Sequence, residues 1–165
     1  MLSDAPDSSM ISAVFDTNLL VSAFLSRNNP GGVSNELLRF VIAGAIDLYL
    51  SIEIVNEMVE TLLTNERARR KYRYLPDDIG QDRADLMTLA TIIDDPQLMP
   101  GAVPRDPDDD KIVACAVAAA VQYIVSRDDD LLSLGSHTAG IAISTPEQFI
   151  DVVRQQFGRL ADQQS

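Results

Sequence analysis

The chain has few of the residues that form disulfides or bind soft metal ions. It contains one cysteine, Cys115, and one histidine, His137, so an internal disulfide is excluded and the usual ligands of zinc are almost absent. Its longest apolar run, Ile112–Val121, is shorter than the roughly 18 residues that a membrane span needs. The N-terminus also lacks the basic leader and apolar stretch of a secretion signal. We therefore expect a soluble cytoplasmic protein with no membrane-bound part.

Basic residues are scarce as well. Thirteen Lys and Arg stand against 25 Asp and Glu, which gives a formal net charge of −12. This balance disfavours a protein that binds polyanions indiscriminately, and it disfavours a polybasic membrane anchor. Nucleic acid can then be a ligand only through a local basic patch or through metal ions.

The length and the distribution of apolar residues predict one domain. A chain of 165 residues that is 46% hydrophobic can bury a core of ordinary size. Residues 1–9 are small and polar and contain a proline, so we expect a disordered leader, with Met10 as an alternative start. We expect a single domain over 10–157, followed by a polar tail over 158–165.

Short and long apolar segments alternate along this domain. Short runs predict buried strands at 11–15, 47–50, 122–126 and 141–144. Longer stretches with helical spacing predict helices at 34–43, 51–64, 77–94 and 112–121, and a last helix that begins at Pro146. Strands that alternate with helices predict an α/β fold with a central parallel sheet flanked by helices on both faces. In such sheets, ligands bind beyond the carboxyl ends of the strands.

Carboxylates follow several of these strands. Asp16 comes directly after the first strand, and Glu57 borders the apolar stripe of the helix over 51–64. Two further groups, one before the Ala-rich helix and one after the third strand, comprise Asp106, Asp108, Asp109, Asp110, Asp128, Asp129 and Asp130. Each acid also has an ordinary interpretation, because Asp is a preferred helix N-cap and Glu on an amphipathic helix is commonly solvated.

Taken together, these acids predict a metal site. A parallel sheet brings the strand ends and the helix start to one edge, where the carboxylates raise one another's pKa values. The basic residues beside them are limited to Arg105, Lys111 and Arg127. A divalent cation is then the natural counter-charge, and oxygen ligands select Mg²⁺ or Mn²⁺ over zinc. Such sites activate water against phosphate with one or two ions, so we expect a phosphodiester or phosphoryl substrate.

Five sequence elements, over about residues 11–152, resemble one known family. They are Val14-Phe15-Asp16-Thr17-Asn18, Ser51-x-Glu53-Ile54-x-x-Glu57, Asp106-Pro107-Asp108-Asp109-Asp110, Ile124-Val125-Ser126-Arg127-Asp128-x-Asp130 and Thr145-Pro146-x-x-Phe149. In this order and spacing they are similar to the PIN-domain ribonucleases, and within that family to the toxin components of toxin–antitoxin systems.

The resemblance implies roles for the acids. The family's catalytic acids fall, in chain order, on Asp16, Glu57, Asp109 and Asp128. Its metal ligands fall on Asp16, Asp109, Asp128 and, as an accessory acid, Asp130. For the third acid, which precedes the first aliphatic residue of its helix, Asp106, Asp108 and Asp110 are alternatives to Asp109.

The resemblance also implies supporting residues, a substrate and partners. Asn18 matches the polar residue that orients the first acid, and Ser126 matches the Ser or Thr that precedes the fourth. The family implies dependence on Mg²⁺ or Mn²⁺, single-stranded RNA as substrate, homodimerisation and inhibition by a cognate antitoxin. In-line attack of water at phosphorus then leaves 5′-phosphate and 3′-hydroxyl ends.

A basic and aromatic segment provides the local patch that RNA binding requires. Five of the thirteen basic residues lie between Arg67 and Arg73. The candidates for contacts with RNA phosphates and bases are Arg69, Arg70, Lys71 and Tyr72. The alternatives are a solvated helix face or a contact for an acidic segment of the antitoxin.

Other functions share some of these features. A phosphatase of the haloacid dehalogenase type also begins with an Asp after an apolar strand, but it needs a second Asp where this chain has Asn18. A receiver domain of two-component signalling needs a Lys after a late strand, where this chain has Asp128–Asp130. A PIN-like scaffold that binds RNA or a protein partner without cleaving RNA fits the same sequence. We expect a ribonuclease, with the silent scaffold as the main alternative.

Overall fold

The computed structural model describes residues 10–29, 31–94, 96, 109–134, 137–138 and 140–158. The predicted leader 1–9 and all but the first residue of the predicted tail lie outside these residues, as do Asp106 and Asp108. Among the helices of the described ranges, none has the length and apolarity needed to cross a membrane.

One to three helices separate successive strands along most of the described chain, which agrees with the predicted α/β arrangement, although three of these helices lie outside the predicted helical stretches. The strands are β1 (Ile11–Phe15), β2 (Ile46–Ser51), β3 (Thr91–Ile93), β4 (Tyr123–Val125), β5 (His137–Thr138) and β6 (Ile141–Ser144). The helices are α1 (Thr17–Leu25), α2 (Val33–Ile42), α3 (Ile52–Thr64), α4 (Glu66–Tyr72), α5 (Pro76–Leu89), α6 (Asp110–Ala119), α7 (Asp129–Leu132) and α8 (Pro146–Phe157).

The strands form one sheet in the order β3-β2-β1-β4-β6-β5. The first five strands of this order pair in parallel, and only the short β5 pairs antiparallel, with β6. The chain builds the sheet outward from β1 on one side and then continues with β4 on its other side. The boundary between β1 and β4 is therefore the point at which the strand order reverses, where α/β sheets bind their ligands.

Local sequence signals explain where several helices begin and end. Ser51 caps α3, because its Oγ accepts a hydrogen bond from the Ile54 N–H at 3.3 Å. Thr145 caps α8, with Pro146 at the first helical position. Gly44, which the sequence predicts to end α2, adopts a φ of +84° two residues beyond the last helical residue. The predicted helix starts near Ser51 and at Pro146 are confirmed.

The predicted helix over 77–94 is wrong at its C-terminal end. The helix α5 ends at Leu89, and residues 91–93 form β3, which pairs with β2 at the edge of the sheet. The apolar residues at 89–93 fit a helical spacing, but Thr91 and two isoleucines are β-branched and favour a strand. Because the edge of β2 is free to pair, these residues join the sheet as a strand instead of extending the helix. His137 follows Gly135 and Ser136, a composition typical of a loop, but it belongs to the two-residue strand β5.

The core lies on both faces of the sheet. Consecutive residues of β1, such as Val14 and Phe15, are both buried, which in a pleated strand requires cover on each side. On one face, the Phe15 ring meets the Phe149 ring of α8 edge to face, with centroids 6.3 Å apart. Cys115 of α6 is fully buried, and burial raises the pKa of its thiol to about 12. Cys115 is therefore part of the core.

A buried tyrosine links α1 to the end of α3. Tyr74 donates a hydrogen bond of 2.6 Å from its hydroxyl to the Leu62 carbonyl, and its ring lies edge to face against Phe24 with centroids 5.1 Å apart. Leu62 is in the last turn of α3, where carbonyls have no partner within the helix. Tyr74 is 1% exposed, so its hydroxyl replaces the water that such a carbonyl would otherwise bind.

We predict that Tyr74→Phe lowers the free energy of unfolding by about 1–2 kcal/mol, because it leaves the buried Leu62 carbonyl without its partner. Urea denaturation measures the change. Tyr72→Phe is the matched control, since Tyr72 is exposed and its loss of a hydroxyl should change stability by less than about 0.5 kcal/mol. Equal midpoints for the two variants would contradict the role of the Tyr74 hydrogen bond.

Candidate functional site

The site is built where β1 and β4 end side by side. Phe15 pairs with Val125, and the next residue, Asp16, donates its backbone N–H to the Val125 carbonyl at 3.1 Å. Ser126 continues the pairing on the other side, because its N–H donates to the Ser144 carbonyl at 3.0 Å. Strand pairing therefore fixes the backbone at the ends of β1 and β4, before each strand leads into a helix.

Asp16 is both a helix cap and a buried acid. Its Oδ1 accepts a hydrogen bond of 2.9 Å from the Leu19 N–H, which caps α1. Its other carboxylate oxygen, Oδ2, accepts a hydrogen bond from the Ser126 hydroxyl. Asp16 is only 3% exposed, although a capping role alone allows full exposure to solvent. The two interpretations of Asp16 from the sequence are therefore compatible.

Ser126 connects Asp16 to the acids after β4. The Ser126 Oγ accepts a hydrogen bond of 2.9 Å from the Asp128 N–H while it donates to Asp16. Asp128 in turn caps the short helix α7, since its Oδ1 accepts from the Asp130 N–H at 2.8 Å. Ser126 is fully buried and Asp128 is half-buried. One hydroxyl thus fixes the spacing of two of the predicted acids.

Burial raises the pKa of Asp16 above its usual value. Desolvation is the largest cause, and the negative charge of Asp128 acts in the same direction. Hydrogen bonds from Ser126 and from the Leu19 and Asn18 backbone oppose the shift without cancelling it. Asn18 itself is exposed, and the group of this residue that bonds Asp16 is its backbone N–H. The ionised form of Asp16 is therefore costly, and a bound cation would relieve that cost.

Glu57 forms an ion pair with a lysine of α6. The Lys111 Nζ lies 2.7 Å from the Glu57 Oε2, with 17% of the lysine side chain and 38% of the glutamate side chain exposed. The helices that carry them, α3 and α6, pack against each other. From the sequence, Lys111 is identified only as one of the basic residues beside the acids. Its pairing with Glu57 depends on the packing of two helices that are far apart in the chain.

Asp109 and Asp110 stand at the start of α6. This helix leads into β4, which is parallel to β1, so its N-terminus lies at the carboxyl edge of the sheet. Asp109 directly precedes the helix, and Asp110 is 8% exposed in its first turn. Acids at this position interact favourably with the helix dipole. The other two alternatives for the third acid lie outside the described residues.

The structure groups the predicted acids around two contacts. Asp16 and Asp128 are joined through Ser126, whereas Glu57 is held to the start of α6, beside Asp110, through Lys111. The topology places both groups at the carboxyl edge. Across the part of the chain that the structure describes, no three His, Cys, Asp or Glu side chains are close enough to hold a metal ion together.

The chemistry of the donors fits a hard divalent cation. The groups at this edge are carboxylates and hydroxyls, which are the ligands that Mg²⁺ and Mn²⁺ prefer. Thr17, next to Asp16, is 6% exposed, and its Oγ1 is buried without a hydrogen-bond partner among the described residues. A buried polar oxygen of this kind is stabilised when a water molecule or an ion binds beside it.

The predicted RNA-binding residues lie on and around α4. Arg70, Lys71 and Tyr72 are exposed, and the Lys71 Nζ lies 5.3 Å from the centre of the Tyr72 ring. Arg69 is half-buried, and its guanidinium is 4.0 Å from Glu66. The exposed members therefore present positive charge and an aromatic surface to solvent in a chain whose net charge is −12.

Comparisons with known proteins agree with this architecture. A family model described as PIN domain matches residues 12–130, which include all four predicted catalytic acids. The crystal structure of PAE2754 from Pyrobaculum aerophilum superposes with a TM-score of 0.55 at 13% sequence identity, over 88% of this chain and 90% of that chain. At this identity the likeness concerns the fold alone. A comparison with curated proteins gives no match.

We predict that Asp16→Asn stabilises the folded protein in the absence of divalent ions. Asparagine is an equally good helix cap, and it removes the buried negative charge. The melting temperature at pH 7 should rise, by about 2–4 °C for each kcal/mol of relieved cost in a domain of this size. Asp129→Asn, which alters an exposed acid nearby, should leave it unchanged.

The pH dependence follows from the direction of the Asp16 shift. A pKa that is higher in the folded state means that protonation favours folding, and this contribution is lost as the pH rises through the folded pKa. The stabilising effect of Asp16→Asn should therefore be largest near neutral pH and vanish below the unfolded pKa. Thermal melts of both proteins from pH 3.5 to pH 8 would detect it, and parallel curves would contradict it.

Proposed function

The chain belongs to the PIN domain family, and on this premise we propose that it is a metal-dependent endoribonuclease that hydrolyses phosphodiester bonds of single-stranded RNA. PIN domains are generally nucleases. The observation that carries the proposal is the buried Asp16 carboxylate at the point where the strand order reverses, with Asp128 beside it. Two acids held together at the cost of stability indicate a functional rather than a structural role.

The residues that would hold the cation are Asp16, Asp109, Asp128 and Asp130. When bound, Mg²⁺ or Mn²⁺ supplies positive charge that polarises a phosphate oxygen and compensates the charge that develops in the transition state. Glu57, the remaining catalytic acid implied by the resemblance, is absent from this ligand set, which agrees with its ion pair to Lys111.

The chain's own side chains would orient the reaction. Ser126 and the Leu19 N–H each hold one oxygen of Asp16, so this carboxylate cannot rotate freely. Asp128 is half-buried and contacts both the site and solvent, which suits it to accept the proton of the attacking water. The water oxygen bonds to phosphorus as the bond to the 3′ oxygen breaks. The proton passes to that oxygen, and the ends are a 5′-phosphate and a 3′-hydroxyl.

The α4 surface would hold the RNA. We assign phosphate contacts to Arg69, Arg70 and Lys71 and base stacking to Tyr72. Arg70, Lys71 and Tyr72 are exposed and can therefore contact RNA. Because the chain has a net charge of −12, RNA binding depends on a local basic patch such as this one. We further propose that the protein is the toxin of a cytoplasmic toxin–antitoxin pair, acts as a homodimer and is inhibited by its cognate antitoxin.

A catalytically silent PIN-like scaffold is the second candidate. It is favoured by two observations on the described residues: no three acids are close enough to hold a metal ion together, and Glu57 is neutralised by Lys111. Such a protein would bind RNA through α4 without cleaving it. A haloacid dehalogenase type of phosphatase does not agree with membership of the PIN family.

We predict that Asp16→Asn lowers the rate of RNA cleavage in Mn²⁺ or Mg²⁺ by more than about 100-fold, since a group that only supports a metal ligand typically accounts for about 10–100-fold. Cleavage of a fluorescent single-stranded RNA by the purified protein, with and without a chelator, measures this rate. Because the same variant is expected to be more stable, unfolding cannot explain the loss.

Asp129→Asn serves as the control here as well, and it should cleave at the parent rate. Metal-dependent cleavage by Asp16→Asn at the parent rate would exclude Asp16 as a metal ligand. If neither the parent nor any variant cleaves RNA in either metal, the silent scaffold is the correct function.

We predict that neutralising Arg69, Arg70 and Lys71 together weakens RNA binding and reduces its dependence on salt. Each lost phosphate contact should lower the slope of log K against log[salt] by about 0.7 for a single strand. The cleavage rate at saturating RNA should change little, because the acids lie on other elements. Fluorescence anisotropy at several salt concentrations measures the slope.

The control for this triple variant is Arg39→Gln, which removes an exposed positive charge from α2. It should leave both affinity and slope close to those of the parent. If the triple variant also keeps the parent slope, the basic residues of α4 form a solvated face or a protein contact.

A further inference from the structure

Arg127 lies within the hydrogen-bond network that joins the two strand ends of the candidate site. It stands between Ser126, whose hydroxyl donates to Asp16, and Asp128, whose N–H donates to the same hydroxyl. The Ser126 N–H is also bonded to the Ser144 carbonyl of β6. The backbone on both sides of Arg127 is therefore held by the contacts that place Asp16 and Asp128.

The side chain of Arg127 lies on the face of the sheet that α8 covers. Phe15 and Val125 are paired, so their side chains share one face, and the Phe15 ring packs against Phe149 of α8. Arg127 is two residues beyond Val125, which returns the side chain to that face. Its guanidinium lies 2.5 Å from the carboxylate of Glu147 in the first turn of α8. This ion pair links the end of β4 to the start of α8.

The helix α8 does not depend on this ion pair for its start. Thr145 and Gln148 form a capping box, in which each side chain accepts a hydrogen bond from the other residue's backbone N–H. Glu147 already suits the helix dipole in the first turn, whereas a positive charge at this position opposes it. The side chains of Arg127 and Glu147 are 49% and 56% exposed, and ion pairs of this kind contribute little to stability. Arg127 can therefore exchange Glu147 for another anion at little cost.

We propose that Arg127 binds a phosphate of the RNA strand at the candidate site and that Glu147 engages it until RNA takes its place. This inference rests on the proposed function, because it names a substrate contact of the same site. A guanidinium donates paired hydrogen bonds to phosphate as it does to carboxylate, so the two anions compete for the same donors. Glu147 is ionised at neutral pH, because the hydrogen bond from Arg127 holds its pKa below the usual value.

The negative charge of this edge gives such a contact its importance. Asp16 and Asp128 lie close to Arg127 through the Ser126 network, and Asp129 follows at the start of α7, so a phosphate here is repelled by several carboxylates. A positive side chain within the same segment offsets part of that repulsion. Arg127 provides this charge while it is bonded to Glu147 rather than to the acids of the site.

RNA binding by a charge-matched double variant tests the inference. Arg127→Gln combined with Glu147→Gln removes the ion pair and leaves the net charge of the full-length protein unchanged. We would measure its affinity for a labelled single-stranded RNA by fluorescence anisotropy at several salt concentrations, with a chelator to prevent cleavage. The dissociation constant should rise by about 10-fold, as expected for one lost hydrogen-bonded charge contact. The slope of log K against log[salt] should fall by about 0.7.

The single variant Glu147→Gln separates a direct contact from a long-range effect of charge. In the parent it should strengthen RNA binding by about 2- to 5-fold, because Arg127 no longer has to leave a partner. In the Arg127→Gln background it should change the affinity only as much as Glu53→Gln does. Glu53 is the matched control, since it is also an exposed acid in the first turn of a helix. Equal effects of Glu147→Gln in the two backgrounds would contradict the exchange and overturn the inference.

The outcomes separate this inference from the proposed function. A double variant with the affinity and salt slope of the parent overturns the role of Arg127 and leaves the nuclease proposal standing. No RNA binding by the parent, with or without divalent ions, overturns both. In cleavage assays the double variant should show a higher KM with an almost unchanged kcat, because the contact holds the strand rather than the reacting atoms. Circular dichroism establishes that each variant is folded.

Discussion

The candidate site depends on the two hydrogen bonds of the Ser126 hydroxyl. This group donates to the Asp16 carboxylate and accepts from the Asp128 backbone, so it joins the ends of two neighbouring strands. Its full burial keeps water from competing for either bond. Because β1 and β4 are paired up to Phe15 and Val125, the sheet holds Asp16 and Asp128 more rigidly than a loop would. The helices α3 and α6 then bring Glu57 and Lys111 to the same edge.

The buried acid of the site lowers the stability of the fold. The core gains from burying apolar residues on both faces of the sheet, whereas Asp16 is buried at an electrostatic cost. Ser126 and the start of α1 reduce that cost through hydrogen bonds, and Lys111 reduces the charge around Glu57. The electrostatic cost of the buried Asp16 carboxylate is not fully offset, and this remaining cost favours the binding of a cation. A cation that binds Asp16 in the folded protein would therefore recover the free energy that is lost when this carboxylate is buried.

Sequence patterns predict the parts of this protein that depend on neighbours along the chain. Ser51, Thr145 and Gly44 mark helix ends because their effects are local, and Asp16 is recognisable as an acid after a buried strand. The strand β3 escapes prediction because its residues satisfy a helical spacing, and only the free edge of β2 makes them a strand. The pairing of Lys111 with Glu57 escapes prediction for the same reason, since it joins helices that meet only in the folded state. Contacts between distant elements, rather than local propensity, account for both.

The two outermost strands of the sheet are short over the described residues. β3 has three residues and β5 has two, and β5 runs against the direction of its neighbour. Short edges offer few unpaired N–H and C=O groups to another chain, so they protect against sheet-to-sheet aggregation. A second copy of the protein therefore has little backbone to extend the sheet. Among the described residues, contacts between copies of this chain through helix surfaces are therefore favoured over extension of the sheet.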